Sequence, residues 1–189
     1  NTFDEAVSVH LNTMDYNVRI DGSKSNKSEF YKQPELYCSS FMDYTNQADI
    51  FIAGHYYSSG SPYLFTRKDA KHSDFNIKVV ADVSCDIDGP VASTIRPSII
   101  VDPIYGYNPI SETEDSFLQE GNIAVMAVDN LPCELPKDAS EDFGNEMLEK
   151  ILPSLIMSDD EQIIENATIC KNGDLTPNFE YLRNYVNGN

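Results

Sequence analysis

Three short apolar runs in this sequence each break abruptly into polar residues, and no other feature narrows the possible folds as much. They are residues 48–53 (ADIFIA), residues 75–83 (FNIKVVADV) and residues 122–128 (NIAVMAV). All three are nearly continuous instead of alternating, the pattern of parallel strands covered on both faces. Gly54 and the turn chemistry of HYYSSGSP follow the first run, Ser84-Cys85-Asp86-Ile87-Asp88-Gly89-Pro90 the second, and Asp129-Asn130-Leu131-Pro132 the third. Thr66 with Asp69 makes a capping pair for a short helix over 67–71, so the first two runs read as a right-handed βαβ unit. Open parallel sheets bind ligands in the crevice outside the carboxyl ends of their strands, so the polar groups at these breaks mark a candidate binding crevice.

The remaining segments read as follows. Residues 6–11 (AVSVHL) alternate like a half-buried strand. Residues 21–32 are a polar loop, after which Phe30, Leu36, Tyr37, Phe41 and Tyr44 fit the stripe of one or two helices. Beyond Pro136 the pattern is helical, with Phe143, Met147, Leu148, Ile151, Leu152 and Leu155 on one apolar face and Pro153 expected to kink or split the helix. Ser158 and Glu161 form a capping box for a following helix that Gly173 closes, and Thr176-Pro177 opens a last one.

Charge and cysteines limit the partners. A net charge of −18 repels phosphate backbones and anionic lipid, which argues against nucleic acid. No run approaches the roughly 18 apolar residues of a membrane helix, and the polar start at Asn1 has no secretory character. The start without an initiator methionine suggests part of a longer polypeptide. Cys38, Cys85, Cys133 and Cys170 are scattered without metal-ligand spacing, so no metal site is expected and reduced thiols of a cytoplasmic protein are the simplest expectation.

Each candidate residue has a functional and a plain structural reading. Asp82 and Ser84 alternate on one side of the strand end, where both can face a ligand while Val83 packs inward; equally, they can be turn formers. For Asp86 and Asp88 the turn reading is the stronger. Asp129 can accept from a ribose hydroxyl and Asn130 can both donate and accept, or the pair can make an Asx turn. His10, His55 and His72 are isolated and read as structural or surface histidines, His55 being nearest a strand end. Tyr56 and Tyr57 can stack on a flat ring or cover apolar surface. Arg96 is a candidate for holding a substrate carboxylate. A G-x-G-x-x-G turn for a dinucleotide diphosphate is absent from the sequence.

Residues 82–90 (DVSCDIDGP), followed by residues 127–155 (AVDNLPCELPKDASEDFGNEMLEKILPSL), resemble the saccharopine dehydrogenase family: the lysine-forming enzymes and the related lysine-ketoglutarate reductase domain, within the alanine dehydrogenase and transhydrogenase superfamily. The likeness extends upstream through FYKQPELYCSSFMDYTNQADIFIAGHYY and covers about residues 1–157. It implies an α/β fold: a partial Rossmann-type parallel sheet in residues 1–100, the second half of a nucleotide lobe, and the returning helical and strand segment of a substrate lobe in residues 101–189. It also implies NAD or NADP as cofactor, with contacts at Tyr56, Val83, Val128, Asp129, Asn130 and Leu131. Ser84, Cys85 and Asp86 would lie near the nicotinamide and an amino-acid or keto-acid substrate.

The family's reaction is the reversible NAD(P)-linked reduction of the imine formed between lysine and 2-oxoglutarate. Its catalytic lysine and histidine and its glycine turn lie in an N-terminal part without counterpart here, so no catalytic residue is assigned to this chain. The chain is expected to act with that missing half or with a partner chain. Ala53-Gly54-His55 stands where the family commonly has Asn-Cys-Ile. An alanine dehydrogenase-like oxidoreductase is the alternative enzyme, although DVSCD departs from the Gln-Gly-Gly favoured there; a non-catalytic binding module that kept the fold is the alternative class.

Overall fold

A computed structural model describes residues 4–58 and 60–188; the start at Asn1 and position 59 of the turn after the first apolar run lie outside the described residues. The chain forms two compact units, Asn1–Leu131 and Pro132–Asn189. In chain order the first contains helix α1 (Thr13–Tyr16), strand β1 (Asn17–Arg19), helix α2 (Lys27–Phe30), strand β2 (Tyr37–Ser39), helix α3 (Met42–Thr45), and strands β3 (Ile50–Ala53), β4 (Val79–Asp82), β5 (Ile104–Asn108), β6 (Thr113–Asp115) and β7 (Ile123–Met126). The sheet that organises this unit has the order β3-β4-β7-β5-β6. β3, β4 and β7 run parallel, while β5 is antiparallel to β7 and β6 antiparallel to β5. The three apolar runs are therefore adjacent parallel strands of a mixed α/β sheet, consistent with a partial Rossmann-like fold. Strands β5, β6 and β7 join this same sheet, and the first compact unit ends at Leu131.

One face of the sheet makes the core. Val80, Val125, Ile123, Ala53, Tyr105 and Tyr107 pack with Phe41, Leu64, Phe65, Ala70, Ile77, Val91 and Ala92 from the connecting segments. The opposite face is open: Ile50 is 63% and Ile52 69% exposed, and Val79 and Ile104 are partly so. Cover on both faces was the expectation; within this unit the connections supply apolar side chains to one face only.

Local chemistry explains several other departures. Residues 6–11 form no regular secondary structure, and the first strand is β1, which pairs antiparallel with β2. The stripe through Phe30 and Tyr44 is divided between one-turn helices and β2, since Pro34 opens a 3₁₀ turn, Pro34–Leu36. Thr66 and Asp69 do cap each other, Thr66 N–H donating to Asp69 Oδ2 at 2.8 Å and Asp69 N–H to Thr66 Oγ1 at 3.2 Å, but the helix they start is a single 3₁₀ turn, Asp69–Lys71.

The second unit is helical at first. Helix α4 (Pro136–Glu146) runs through a π-helical turn, Met147–Ile151, into α5 (Leu152–Ile156). Pro153 lacks the N–H that an unbroken α-helix would use, and the wide turn just before it absorbs the mismatch. The expected apolar face is only partly covered, with Phe143, Leu148 and Leu155 exposed. Helix α6 (Ile163–Ala167) is capped by Asp159, whose carboxylate accepts from the backbone of Ile164 at 3.1 Å and Glu165 at 2.8 Å, and not by Ser158. Asn172 and Gly173, both at positive φ, turn the hairpin of β8 (Cys170–Lys171) and β9 (Asp174–Leu175). Gly173 thus serves a two-residue hairpin instead of closing a helix. Thr176-Pro177 does start the last helical segment, a 3₁₀ turn that leads into α7 (Arg183–Val186). No described helix is long and apolar enough to cross a membrane.

Candidate functional site

β4 stands between β3 and β7, with Ala53 in register with Asp82 and Ala81 with Met126, so the carboxyl ends of all three parallel strands lie side by side. At the end of β4 the pleat decides which groups turn inward and which face outward. Asp82 follows Val80 onto the core face and is 1% exposed, whereas Val83 is 47% exposed. This reverses the sequence expectation for the pair. Asp82 can be interior because it has partners: Thr94 Oγ1 donates to Oδ2 at 2.6 Å and the Cys85 N–H donates to Oδ1 at 3.0 Å.

The next two side chains tie the strand ends together. Ser84 Oγ accepts the His55 N–H at 3.1 Å, donates to the His55 carbonyl at 2.8 Å and lies 3.3 Å from His55 Nδ1, which joins β4 to the end of β3. Cys85, at φ +52°, donates its S–H to the Ala127 carbonyl at 3.2 Å and joins β4 to the end of β7. Burial, reinforced by the carboxylates of Asp82, Asp129 and Asp86, holds the Cys85 thiol above its ordinary pKa. The thiol braces β4 against β7, and its raised pKa disfavours the thiolate form. Ser84 and Cys85, expected near the substrate, thus spend their polar atoms on the scaffold.

Asp86 and Asp88 form the turn. Gly89 N–H donates to the Asp86 carbonyl at 3.0 Å, and a Cβ on Gly89 would fall 2.7 Å from Asp86 Cβ. Asp88 takes φ +50° and pairs with Arg67 at 2.7 Å.

The end of β7 is held by Ser98. Ala127 N–H donates to Ser98 Oγ at 3.0 Å and Ser98 N–H returns to the Ala127 carbonyl at 2.8 Å. Val128 is buried, Asp129 and Asn130 are exposed and Leu131 is half-buried. Tyr56 is 92% exposed, while Tyr57 packs edge-on against Tyr63 at 6.0 Å. Arg96 is already committed: it makes two 2.7 Å bonds to the Glu114 carboxylate and its guanidinium lies 4.5 Å from the centre of the Tyr105 ring. That arrangement leaves it poorly placed for a substrate carboxylate. Among the described residues no cluster of His, Cys, Asp and Glu could hold a metal ion.

Two features went unread in the sequence. Thr94 and Ser98 are buried hydroxyls that hold Asp82 and the β7 end. In the polar segment 93–98 (STIRPS) nothing local signals that these hydroxyls turn inward. His55 also gains meaning only from Ser84, twenty-nine residues away. Its Nε2 is shielded from solvent and has no hydrogen-bond partner among the described residues.

Known proteins share this sequence across both units. The chain is 29% identical over 171 residues, 86% of its length, to an alpha-aminoadipic semialdehyde synthase of Arabidopsis thaliana. It is 26% identical over 182 residues, 82% of its length, to the mitochondrial alpha-aminoadipic semialdehyde synthase of Mus musculus. A saccharopine dehydrogenase [NAD(+), L-lysine-forming] of Neurospora crassa is 31% identical over 124 residues, 61% of the chain. No protein-family profile matches. The aligned region spans only 16% and 20% of the two synthases and 29% of the dehydrogenase. The chain is therefore homologous to part of these oxidoreductases, in agreement with the resemblance carried by residues 82–90 and 127–155.

Proposed function

We propose that the ends of β3, β4 and β7 form one wall of a nicotinamide nucleotide site in a saccharopine dehydrogenase or lysine-ketoglutarate reductase type enzyme. The observation that supports this most is the adjacency of three parallel strand ends, with exposed polar groups at Asp129 and Asn130 and exposed apolar surface at Val83 and Tyr56. An uncommitted carboxylate and amide suit ribose hydroxyls and a carboxamide, and exposed apolar groups suit the face of a ring. In this reading the cofactor is NAD or NADP, with NAD favoured by the name of the Neurospora relative. Tyr56, Val83, the Val128 backbone, Asp129, Asn130 and Leu131 contact it, and Ser84, Cys85 and Asp86 shape the substrate side.

When bound, the nicotinamide supplies hydride exchange at the C–N bond that links lysine and 2-oxoglutarate. This chain's residues bind and orient; the groups that move protons during the reaction come from outside these residues, in the rest of the polypeptide or a partner chain. Positioning of that kind is a large part of the rate in two-reactant chemistry. A cytoplasmic location fits the thiols, all free among the described residues.

Two results are expected. First, the natural polypeptide containing this sequence binds NADH and consumes it with lysine and 2-oxoglutarate, as read by nicotinamide absorbance. Absence of both binding and turnover would leave a non-catalytic module. Second, Asp129→Ala in that protein weakens NADH binding by about 1–3 kcal/mol, the range for a lost partner of a covered polar group. Calorimetric titration measures it, and an unchanged affinity removes Asp129 from the site.

A further inference from the structure

The sheet face turned away from the core is made of two rows of residues that the register sets side by side. Ile50, Val79, Ala124 and Gly106 form one row across β3, β4, β7 and β5, and Ile52, Ala81, Met126 and Ile104 form the other. No side chain in either row is polar or charged. Ala81 and Ala124, diagonal neighbours at the centre, stand lower than the Ile, Val and Met side chains around them, so the face is a shallow trough. At β5 it is bounded by the chain leaving β6, whose Ser116 and Phe117 backbone lies over Gly106. At the other side β3 is the edge of the sheet, and Ile50 and Ile52 are the most exposed residues of the two rows.

Parallel strands are found with both faces covered, so this trough calls for an occupant, and its size decides which. Strands about 4.8 Å apart and alternate residues about 6.7 Å apart make a patch of about 14 Å by 7 Å, roughly a few hundred Å² once side-chain margins are added. Separate chains need about 800 Å² on each partner for a stable contact, so the patch is too small to hold an independent protein. A second copy is opposed by charge as well, since each chain carries −18. A helix is about 10 Å wide and covers such a patch in about two to three turns. Tethered in the same polypeptide, it binds without the full entropy loss of association. The relatives carry most of their length outside the aligned region.

We propose that the trough seats one amphipathic α-helix of the same polypeptide, from outside residues 1–189, with apolar side chains spaced three and four apart against Ile50, Ile52 and Val79 and its polar side facing solvent. The seat does not depend on what the strand ends bind.

The test uses the natural polypeptide that contains this sequence, prepared as a mixture of isotopically light and heavy protein. p-Benzoylphenylalanine in place of Ile52 is expected to photo-cross-link, light to light and heavy to heavy, to a peptide outside residues 1–189 with apolar residues at helical spacing. The same probe in place of Ile110, on the β5–β6 turn, is expected to leave that peptide untouched. The thiol of Ile52→Cys, followed by mass spectrometry, is expected to react with maleimide about tenfold or more slowly than in urea-unfolded protein after correction for the denaturant. Ile50→Asp, a change this exposed position tolerates within the unit, is expected to abolish the cross-link and restore fast labelling of Ile52→Cys. Light-to-heavy cross-links would assign the trough to a second copy and overturn the proposal. So would a cross-link to a peptide within residues 1–189, one to a peptide without helical apolar spacing, or a thiol at position 52 that reacts at the unfolded rate.

Discussion

Asp82→Ala is expected to destabilise the sheet-bearing unit by about 2–4 kcal/mol and to disorder the crevice at the same time. The carboxylate is interior and takes two donors of different origin, the Thr94 hydroxyl at 2.6 Å and the Cys85 N–H at 3.0 Å. Truncation strands the Thr94 hydroxyl in the interior and takes the acceptor from the part-buried Cys85 N–H, and a buried donor without an acceptor costs more than the hydrogen bond returned. The Cys85 N–H also helps hold a left-handed residue, so its release frees the turn that carries Ser84 and Asp86. Asp82→Asn should cost less, because its amide oxygen can still take the Cys85 N–H while its NH₂ donates to Thr94 Oγ1. Urea unfolding followed by tyrosine fluorescence, practical in a chain with eleven tyrosines and no tryptophan, measures the difference. An Asp82→Ala protein with wild-type midpoint and wild-type NADH affinity would show that the keystone lies elsewhere.

What could be read from the sequence divides along a physical line. Continuous apolar runs ending in polar breaks located β3, β4 and β7, although only one face of these strands is covered within this unit, so the runs marked the strands without telling how they are buried. The turn chemistry of Asp86, Asp88 and Gly89 was equally local. Which side of β4 carries Asp82 was not legible. Alternation tells that Asp82 and Val83 face opposite ways, but the choice depends on whether a partner waits inside, and Thr94 is twelve residues on. The scaffold bonds of Ser84 and Cys85 were not legible for the same reason: a hydroxyl and a thiol at a strand end suit a ligand as well as they suit a neighbouring strand, and their partners, His55 and Ala127, are distant in sequence. The engagement of Arg96 was equally hidden, because Glu114 and Tyr105, which occupy it, come from β6 and β5, whose residues do not announce that pairing.

Gly106→Ala should be the most damaging single methyl added to this chain, and its cause differs from that of most glycine effects. Gly106 does not sit at positive φ; it sits on β5 in register with Asp115 on β6 and Ala124 on β7. A Cβ there would fall 2.5 Å from the Ser116 carbonyl carbon, 2.6 Å from the Asp115 oxygen and 2.6 Å from the Phe117 nitrogen. All three are backbone atoms, so no side-chain rotation relieves the overlap, and the chain leaving β6 has to lift off. The expected cost is about 3 kcal/mol, at the upper end for overpacking because the obstacle is main chain. The consequence reaches the crevice, since β5 is the antiparallel neighbour that supports β7, and β7 carries Asp129 and Asn130 at its far end. Gly106→Ala should therefore lower the unfolding midpoint and, in whatever fraction remains folded, raise hydrogen exchange at residues 123–126 before it changes exchange in β3. Uniform protection across β7 together with an unchanged midpoint would mean that the turn over Gly106 is softer than its contacts indicate.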